Sequence, residues 1–196
     1  MVPQMAVKSE SPHLIHALFD SNTVRVYQAY NNEIADLALA AGRFVSPPFK
    51  LDRMTWIKPS FLWMMYRSGW GKKESGQSRI LALDLSRDGF EWALSHSVPS
   101  RMDPTMSAGE WKARLAHFPV RIQWDPDRDL LLRALPRKAI QIGLGKEAVE
   151  AYVNHWICRI TDVTSFAHQL HSLVQGGQFQ IATDLLPKEE IYPFPI

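Results

Sequence analysis

The amino-acid sequence predicts a single α+β domain, in which helices flank a mixed, mostly antiparallel sheet. The chain has 196 residues, 46% of them hydrophobic and 21% charged, which are ordinary values for one globular domain. About five or six strand-like runs are interleaved with about five helical ones, without the strict alternation of a doubly wound fold. We therefore expect residues 23–196 to form the domain and residues 1–22 to form an N-terminal arm, in which residues 12–19 could be a short helix.

The clearest strand is the run TVRVYQAY, residues 23–30, where β-branched and aromatic residues dominate. We expect this strand to be central to the sheet. Asn31 can cap the helix that follows, whose apolar residues recur at helical spacing as far as Gly42. Polar side chains on a central strand need partners, so the strand either has a solvated edge or lines a pocket. Its polar candidates are Arg25, Tyr27, Gln28 and Tyr30.

The chain is organised around residues 51–71, which join a short strand to a helix. The strand over residues 55–57 ends at Pro59, because proline has no amide hydrogen. Ser60 occupies the N-cap position of a helix that ends at Gly69, and the free amides of this helix start could bind an anion. The polar side chains that meet at this junction are Lys58, Ser60, Tyr66 and Arg67. The competing interpretation is a core helix with a capping serine and solvated cations.

The remaining elements follow a polar loop, residues 71–78, that carries Lys72 and Lys73. Strands are predicted over residues 79–85, 120–126, 138–144 and 156–160. Helices are predicted over residues 86–98, 107–118, 145–155 and 165–177. We expect Pro126 to end its strand, Cys158 to be a buried thiol, and the proline-containing C-terminal tail to be extended.

Composition excludes several classes of function. A net charge of +2 excludes a dedicated polybasic nucleic-acid binder but leaves room for a local basic patch. A single cysteine and dispersed histidines argue against a disulfide or a metal site, and no common phosphate-binding or nucleophile motif is present. The chain shows no signal-peptide core and no membrane-length apolar run, so we expect a soluble, cytoplasmic protein. Because the common phosphate-binding motifs are missing, we also expect no cofactor.

Five segments of the sequence resemble the family catalogued as domain of unknown function 4291, from about Thr23 to the C-terminal tail. They are RVYQAYNNEIADLALAAGRF, DRMTWIKPSFLWMMYRSGWG, VRIQWDPDRDL, KAIQIGLG and WICRITDVT. Fungal proteins that look like this family include arginine-containing cyclodipeptide synthases, which make cyclo-(Arg-Xaa) diketopiperazines from aminoacyl-tRNAs without ATP or a carrier domain. The resemblance implies two acyl transfers in natural-product biosynthesis, with Arg-tRNA and a second aminoacyl-tRNA as partners.

Under this implied activity, roles can be assigned to the polar and aromatic residues noted above. The catalytic candidates are Tyr27, Tyr30, Lys58 and Ser60, of which Ser60 could take or orient the first aminoacyl group. The substrate-binding candidates are Arg25, Gln28, Trp63, Tyr66, Arg67, Trp70, Gln123, Asp125, Gln141 and Glu147. Among them, Trp63 or Trp70 could stack on the terminal adenine, and Asp125 or Glu147 could pair with the substrate guanidinium.

The tRNA-binding candidates are Lys72 and Lys73, which together with Arg67 could hold acceptor-stem phosphates. Because buried polar side chains need partners, we expect Lys58, Ser60 and Arg67 to lie on the wall of the main pocket. The residues expected to face them are Tyr27, Tyr30 and Gln123.

A weaker likeness links the strand VYQAY, the following helix and AGRF to the opening of ADP-ribosyltransferase folds. It would imply NAD as the substrate, although the downstream serine–threonine strand and catalytic glutamate of those enzymes are not evident. A non-catalytic RNA-binding module is a third class, against which the modest net charge argues.

Overall fold

The chain forms a single α+β domain with antiparallel sheets flanked by helices, seen in a computed structural model that describes residues 13–194. The strands are β1 (His16–Ala17), β2 (Thr23–Tyr30), β3 (Thr55–Ile57), β4 (Arg79–Ser86), β5 (Ser97–Pro99), β6 (Val120–Arg128), β7 (Ala134–Leu144), β8 (Ile157–Asp162) and β9 (Glu190–Ile191). The α-helices are α1 (Asn32–Ala41), α2 (Phe61–Ser68), α3 (Arg87–Ser95), α4 (Ala108–His117), α5 (Glu147–Ala151), α6 (Thr164–Gln175) and α7 (Phe179–Leu185). A π-helical turn, Tyr152–Trp156, joins α5 to β8.

Two larger sheets and one two-stranded ribbon hold these elements together. One sheet has the order β2-β4-β8, the other has the order β3-β7-β6-β5, and β1 pairs with β9. All pairings are antiparallel except that of β5 with β6, and a single bridge between Tyr27 and Lys58 connects β2 to the end of β3. The two larger sheets therefore meet at the predicted strand–helix junction.

The expectation that β2 is central is wrong for the three-stranded sheet, where β4 lies in the middle. Six consecutive residues of β4, from Ile80 to Leu85, are buried, whereas several side chains of β2 are only half-buried. A run that is apolar except for Asp84, which pairs with Arg25, can be covered on both faces at lower cost than a strand that carries Arg25 and Tyr30.

The predicted helix boundaries around the junction are confirmed. The Asn31 side chain accepts from the Ile34 amide at the start of α1, and the Ser60 hydroxyl accepts from the Trp63 amide at the start of α2. Both helices end at glycines in the left-handed region, with φ of 68° at Gly42 and 58° at Gly69. These are conformations that residues with a Cβ adopt only at a cost.

Two apolar cores position the sheets and helices. The larger core packs the inward residues of both sheets against α1, α3 and α5, with Phe90 and Tyr152 among its largest buried side chains. The second core lies between α2, α6 and α7 and includes Tyr27 and Phe61. Helix α2 thus packs against β2 on one side and β6 on the other.

Three local expectations are corrected by the fold. Strand β6 continues through Pro126 to Arg128. Strand β5 pairs only with the first three residues of β6, so the edge of β6 that faces away from β7 has no neighbouring strand at Pro126, and a proline is tolerated there. Cys158 is exposed rather than buried, because β8 is an edge strand with a mostly exposed or half-buried pattern.

The third correction concerns the predicted arm. Residues 16–17 form a strand rather than part of a helix, and Ile15 and Ala17 are buried in the larger core. Residues 1–12 of the arm lie outside the described residues. The described part of the C-terminal tail, residues 187–194, is extended as predicted, with Tyr192 buried beside β1. Within residues 13–194, no helix has both the length and the apolar character needed to cross a membrane.

Candidate functional site

A cavity of about 570 Å³ opens where the two sheets meet beside α2. We call it the central cavity, and its volume is in the range of small-molecule sites. Side chains alternate along a strand, so the isoleucines of β6 and β7 face the larger core while the glutamines between them face the cavity. The predicted site residues that line it are Gln28, Tyr30, Lys58, Arg67, Gln123 and Gln141.

The rim and the floor of the central cavity differ in charge. Lys50, Arg53 and Arg67 line the cavity and are exposed, so they form a cationic rim. No Asp or Glu is among the lining residues of the described chain, whereas the floor is formed by the buried Gln28, Thr55 and Lys58. Such a rim attracts anionic groups such as phosphates.

Lys58 is the buried cation of the floor, with 7% of its surface exposed. Its Nζ donates a 2.9 Å hydrogen bond to the carbonyl oxygen of Trp56 and lies 5.9 Å from the ring centroid of Trp63. Burial, helped by the nearby Arg67, lowers the pKa of Lys58 to about 7, although the charge of Asp125 opposes this shift. A large share of Lys58 is therefore a neutral amine near neutral pH, able to accept a proton.

A hydrogen-bond network fixes the β2 side of the cavity. The Gln28 amide donates to Thr55 Oγ1 at 2.7 Å and to the Trp56 carbonyl oxygen at 3.1 Å, and its carbonyl oxygen accepts from Tyr152 at 2.6 Å. The Tyr30 hydroxyl lies 2.9 Å from Thr55 Oγ1, and burial raises the pKa of Tyr30 to about 12. Gln28 therefore has its polar groups satisfied within the protein, and Tyr30 stays a neutral hydroxyl.

The opposite wall carries a pair of glutamines fixed by a carboxylate. Gln123 and Gln141 are directly opposite each other across β6 and β7. Gln123 Nε2 donates to both oxygens of Asp125, at 3.0 and 3.1 Å, and Gln141 Nε2 donates to Asp125 Oδ2 at 2.5 Å. Asp125 is thus engaged by both amides, which leaves it little capacity for the guanidinium pairing that the family resemblance implied for Asp125 or Glu147.

Ser60 does not lie on the cavity wall, contrary to the expectation. Its hydroxyl donates to Asp127 Oδ1 at 2.8 Å, and the two side chains are buried, with 3% and 1% of their surfaces exposed. Asp127 also accepts from the Arg128 amide at 2.9 Å and from Arg137 Nε at 2.8 Å. The serine hydroxyl faces the interior between α2 and β6, because that is where its carboxylate partner lies.

The start of α2 is also occupied by the chain itself. The Phe61 amide donates to Glu189 Oε1 at 2.6 Å, so this carboxyl group fills the place where we expected an anionic ligand. Burial, together with the charge of Asp127, raises the pKa of Glu189 to about 8, and Arg137 opposes the shift. The helix N-terminus therefore anchors the C-terminal tail.

Two of the predicted β2 residues lie outside the cavity. Tyr27 is buried in the second core, packs edge-on against Phe61 at 5.3 Å between ring centroids, and has its pKa raised far above the usual range by burial. Arg25 pairs with Asp84 at 2.7 Å and lines a separate cavity of about 400 Å³. Their side chains are on the face of β2 away from Gln28 and Tyr30.

The aromatic candidates in α2 and just after it have partners within the protein. Trp63 is buried in contact with Lys58, and its indole nitrogen has no hydrogen-bond partner in the described chain. Trp70 is buried and stacked on His171, with ring centroids 5.1 Å apart. Tyr66 is 43% exposed, and the guanidinium carbon of Arg128 lies 3.5 Å from its ring centroid. None of the three lines the central cavity of the described chain.

The remaining candidates are exposed and lie away from the cavity wall. Lys72 and Lys73 are in the loop after α2, where Lys72 Nζ is 3.3 Å from His171 Nδ1. Gly76 and Gln77 of the same loop do line the cavity. Glu147 is exposed in the first turn of α5 and is not among the lining residues.

Several residues of this region were not identified from the sequence. Asp127 lies in the segment WDPDRD, and no local pattern of residues indicated that its side chain would be buried. Glu189 and Arg137 belong to polar stretches far from Ser60 in the chain. Arg53 and Thr55 were present in the junction segment, but only the cavity shows that they belong to its wall.

Comparison with known protein families gives a match over most of the chain. The family model described as Domain of unknown function (DUF4291) matches residues 14–192, which includes the last part of the predicted arm. No curated protein matches the chain.

Proposed function

The chain belongs to the DUF4291 family, and from this premise we propose that it is an aminoacyl-tRNA-dependent cyclodipeptide synthase that makes cyclo-(Arg-Xaa) diketopiperazines. The resemblance to fungal arginine-containing cyclodipeptide synthases supports the reaction class. The observation that carries the proposal is the central cavity, in which a buried amine of lowered pKa, Lys58, lies below a cationic rim. The cations of the rim can bind the phosphates of a tRNA 3′ end, and the amine of Lys58 at the floor can accept and return the protons that acyl transfer moves.

The reaction consists of two acyl transfers. In the first, the α-amino group of one aminoacyl-tRNA attacks the ester carbon of the other; a C–N bond forms, the C–O ester bond breaks, and the first tRNA leaves. In the second, the free α-amino group of the dipeptidyl-tRNA attacks its own ester carbon, which closes the ring and releases the second tRNA. Each attack requires a base for the amine proton, and each leaving ribose oxygen requires a proton.

Lys58 is the group that supports this proton transfer in the proposal. As a neutral amine it accepts the proton from the attacking nitrogen, and as an ammonium it returns that proton to the leaving oxygen, so the proton balance closes over each step. Tyr30 is a neutral hydroxyl at the same cavity; when the Thr55 hydroxyl donates the bond between them, the Tyr30 hydrogen is free to donate to the substrate carbonyl. No cofactor is required, and the cytoplasm is the proposed location because aminoacyl-tRNAs are present there.

The proposal is tested with purified protein, Arg-tRNA and a second aminoacyl-tRNA, with mass spectrometry of the products. We expect a cyclic dipeptide that ribonuclease abolishes and that free arginine with ATP does not replace. Lys58→Met should reduce product formation at least ~100-fold, the scale for a lost catalytic group. The control Lys112→Met, on the exposed face of α4, should retain it.

Other outcomes would assign the protein to another class. Consumption of NAD without a tRNA requirement would indicate an ADP-ribosyltransferase-like enzyme. Saturable tRNA binding with no product under any pairing of aminoacyl-tRNAs would indicate a non-catalytic RNA-binding module.

A further inference from the structure

The carbonyl oxygens of Gln123 and Gln141, two residues that line the central cavity, have their orientation fixed by hydrogen bonds between their amide nitrogens and Asp125. An ionised carboxylate can only accept hydrogen bonds, so the groups of Gln123 and Gln141 that contact Asp125 must be their NH₂ groups. The oxygen of each amide is bonded to the same carbon as the nitrogen and lies on its other side. Within residues 13–194, no protein group donates to either of these oxygens, although both side chains line the central cavity.

The contrast with Gln28 shows what this arrangement provides. Gln28 lines the same cavity, but its amide nitrogen and its carbonyl oxygen both have protein partners, and it is buried. Gln123 and Gln141 are half-buried and use only their nitrogens within the protein. Two neighbouring strands therefore place a pair of unpaired acceptors side by side in a cavity, and polar groups at such positions are those that orient a ligand.

We propose that Gln123 and Gln141 are the specificity-determining residues of the central cavity, and that their carbonyl oxygens accept hydrogen bonds from a planar cation with several N–H donors, a guanidinium group. Asp125 is the positioning residue that holds both amides in this orientation. The inference deepens the proposed function, on which it rests for the identity of the substrate, by naming the residues that select the arginyl group.

Three features of the wall favour a guanidinium over other groups. The guanidinium has five N–H donors in a fixed plane, so it can donate to two acceptors on adjacent strands at once. The carboxylate of Asp125 contacts the amide nitrogens of both glutamines, so its negative charge lies close to the acceptors and attracts a positive charge. Lys58, whose lowered pKa leaves it partly neutral, opposes a second cation less than an ordinary lysine would.

The nearest neutral analogue should be rejected by the same wall. A ureido group replaces one N–H donor group by a carbonyl oxygen, which would either face the glutamine oxygens or lose a hydrogen bond. It also has no charge for Asp125 to attract. A site whose fixed acceptors form hydrogen bonds with the N–H groups of a ligand discriminates strongly against a ligand that lacks one of those N–H groups.

The test is calorimetric titration of the full-length protein with L-argininamide and with L-citrullinamide. We expect wild-type protein to bind argininamide about 10- to 100-fold more tightly, the scale for hydrogen bonds to a charged group. Gln123→Met and Gln141→Met should each reduce this ratio about 10-fold. Asp125→Asn should also reduce it, because an amide that can both donate and accept no longer fixes the two glutamines.

A matched control is Gln180→Met, a glutamine on α7 whose amide likewise donates to a carboxylate, Asp184 Oδ1 at 2.8 Å, but which is not among the residues that line the central cavity. It should leave the ratio unchanged. A merely structural role of the glutamine pair would weaken both ligands equally in the methionine variants. Equal binding of the two ligands by wild-type protein would overturn the inference whether or not any variant folds.

This test is independent of turnover. If wild-type protein discriminates as expected but forms no cyclic dipeptide, the proposed function fails and the guanidinium site stands. If cyclic dipeptides form while both methionine variants keep the wild-type ratio, the proposed function stands and the assignment of Gln123 and Gln141 is wrong.

Discussion

The hydroxyl of Ser60 donates a 2.8 Å hydrogen bond to the carboxylate of Asp127, a residue 67 positions further along the chain. Both side chains are buried, and the same hydroxyl accepts from the Trp63 amide at 3.3 Å. Ser60 therefore joins the start of α2 to β6 while it caps the helix. Its position predicts a structural role, although the sequence also suggested a nucleophile.

Ser60→Ala should destabilise the protein and leave product formation intact. The lost cap contributes ~1 kcal/mol and a hydrogen bond to a buried carboxylate about 1.5–3 kcal/mol, so we expect a loss of about 2–4 kcal/mol in the free energy of unfolding. Denaturant unfolding measures it. The matched control Ser86→Ala removes a cap of similar geometry that has no carboxylate partner, and should cost only ~1 kcal/mol. A large loss of turnover in Ser60→Ala at unchanged stability would instead identify Ser60 as a catalytic residue.

Lys58→Met should make the protein more stable than wild type at low pH, and the advantage should shrink as the pH rises. The folded pKa of Lys58 is lowered to about 7 from an ordinary value of 10.5. Below pH 7 the folded protein must keep a buried charge, and between about pH 7 and 10.5 only the unfolded state binds the proton, so wild-type stability rises with pH. Denaturant unfolding at several pH values gives the difference between the two proteins. A pH-independent difference, as we expect for Lys112→Met, would mean that the pKa of Lys58 is not lowered by folding.

Glu189→Gln should stabilise the protein above pH 8 and have little effect in acid. The folded pKa of Glu189 is raised from 4.5 to about 8, so its contribution to stability is present below about pH 4.5 and is lost as the pH rises through 8. Glutamine keeps an acceptor for the Phe61 amide without a charge. Unfolding free energies at pH 5, 7 and 9 should separate progressively, whereas Glu190→Gln, at an exposed neighbouring position, should show no such trend. The same trend in both variants would contradict the assignment.

Gly89→Ala should destabilise α3, although alanine is the better helix former. A Cβ at residue 89 would lie 2.3 Å from Cγ and 2.5 Å from Cδ1 of Trp156, whose ring is part of the larger core. We expect a cost of about 1–3 kcal/mol or more, as for other overpacked cores. Gly109→Ala in α4 meets no atom within 4 Å and should stabilise by up to about 1 kcal/mol. Thermal melting of both variants tests the pair, and a neutral Gly89→Ala would show that Trp156 can move aside.

Under the proposed function, in which the chain binds tRNA, Arg67→Ala should weaken that binding and make it less sensitive to salt. Arg67 is an exposed cation of the cavity rim, and each phosphate contact that is lost lowers the slope of log affinity against log salt by about one. Filter binding or fluorescence titration at several salt concentrations provides the slope. Lys112→Ala removes a similar exposed charge on α4 and should leave the slope unchanged. An unchanged slope for Arg67→Ala would place the tRNA elsewhere.

Local sequence signals determined much of the fold. The bounds of β2, the strand over Thr55–Ile57, and the capping of α2 by Ser60 and Gly69 follow from backbone sterics and from hydrogen bonds within a few residues. The same signals indicated that polar groups gather at the strand–helix junction, and Lys58, Arg67 and Tyr30 do line one cavity there. The sequence could show which groups needed partners, because burial cost depends on residue type.

Only the tertiary structure decided which partner each group has. The Ser60 hydroxyl could face the cavity or the interior. It faces the interior because its hydrogen-bond partner, the carboxylate of Asp127, lies there, although Asp127 is far from Ser60 along the chain. The α2 amides could bind a ligand, but the tail brings Glu189 to them. The register of β6 against β7 places Gln123 opposite Gln141 and lets Asp125 hold both. Such pairings depend on sheet register and chain reversal, which long-range packing determines and no local pattern of residues encodes.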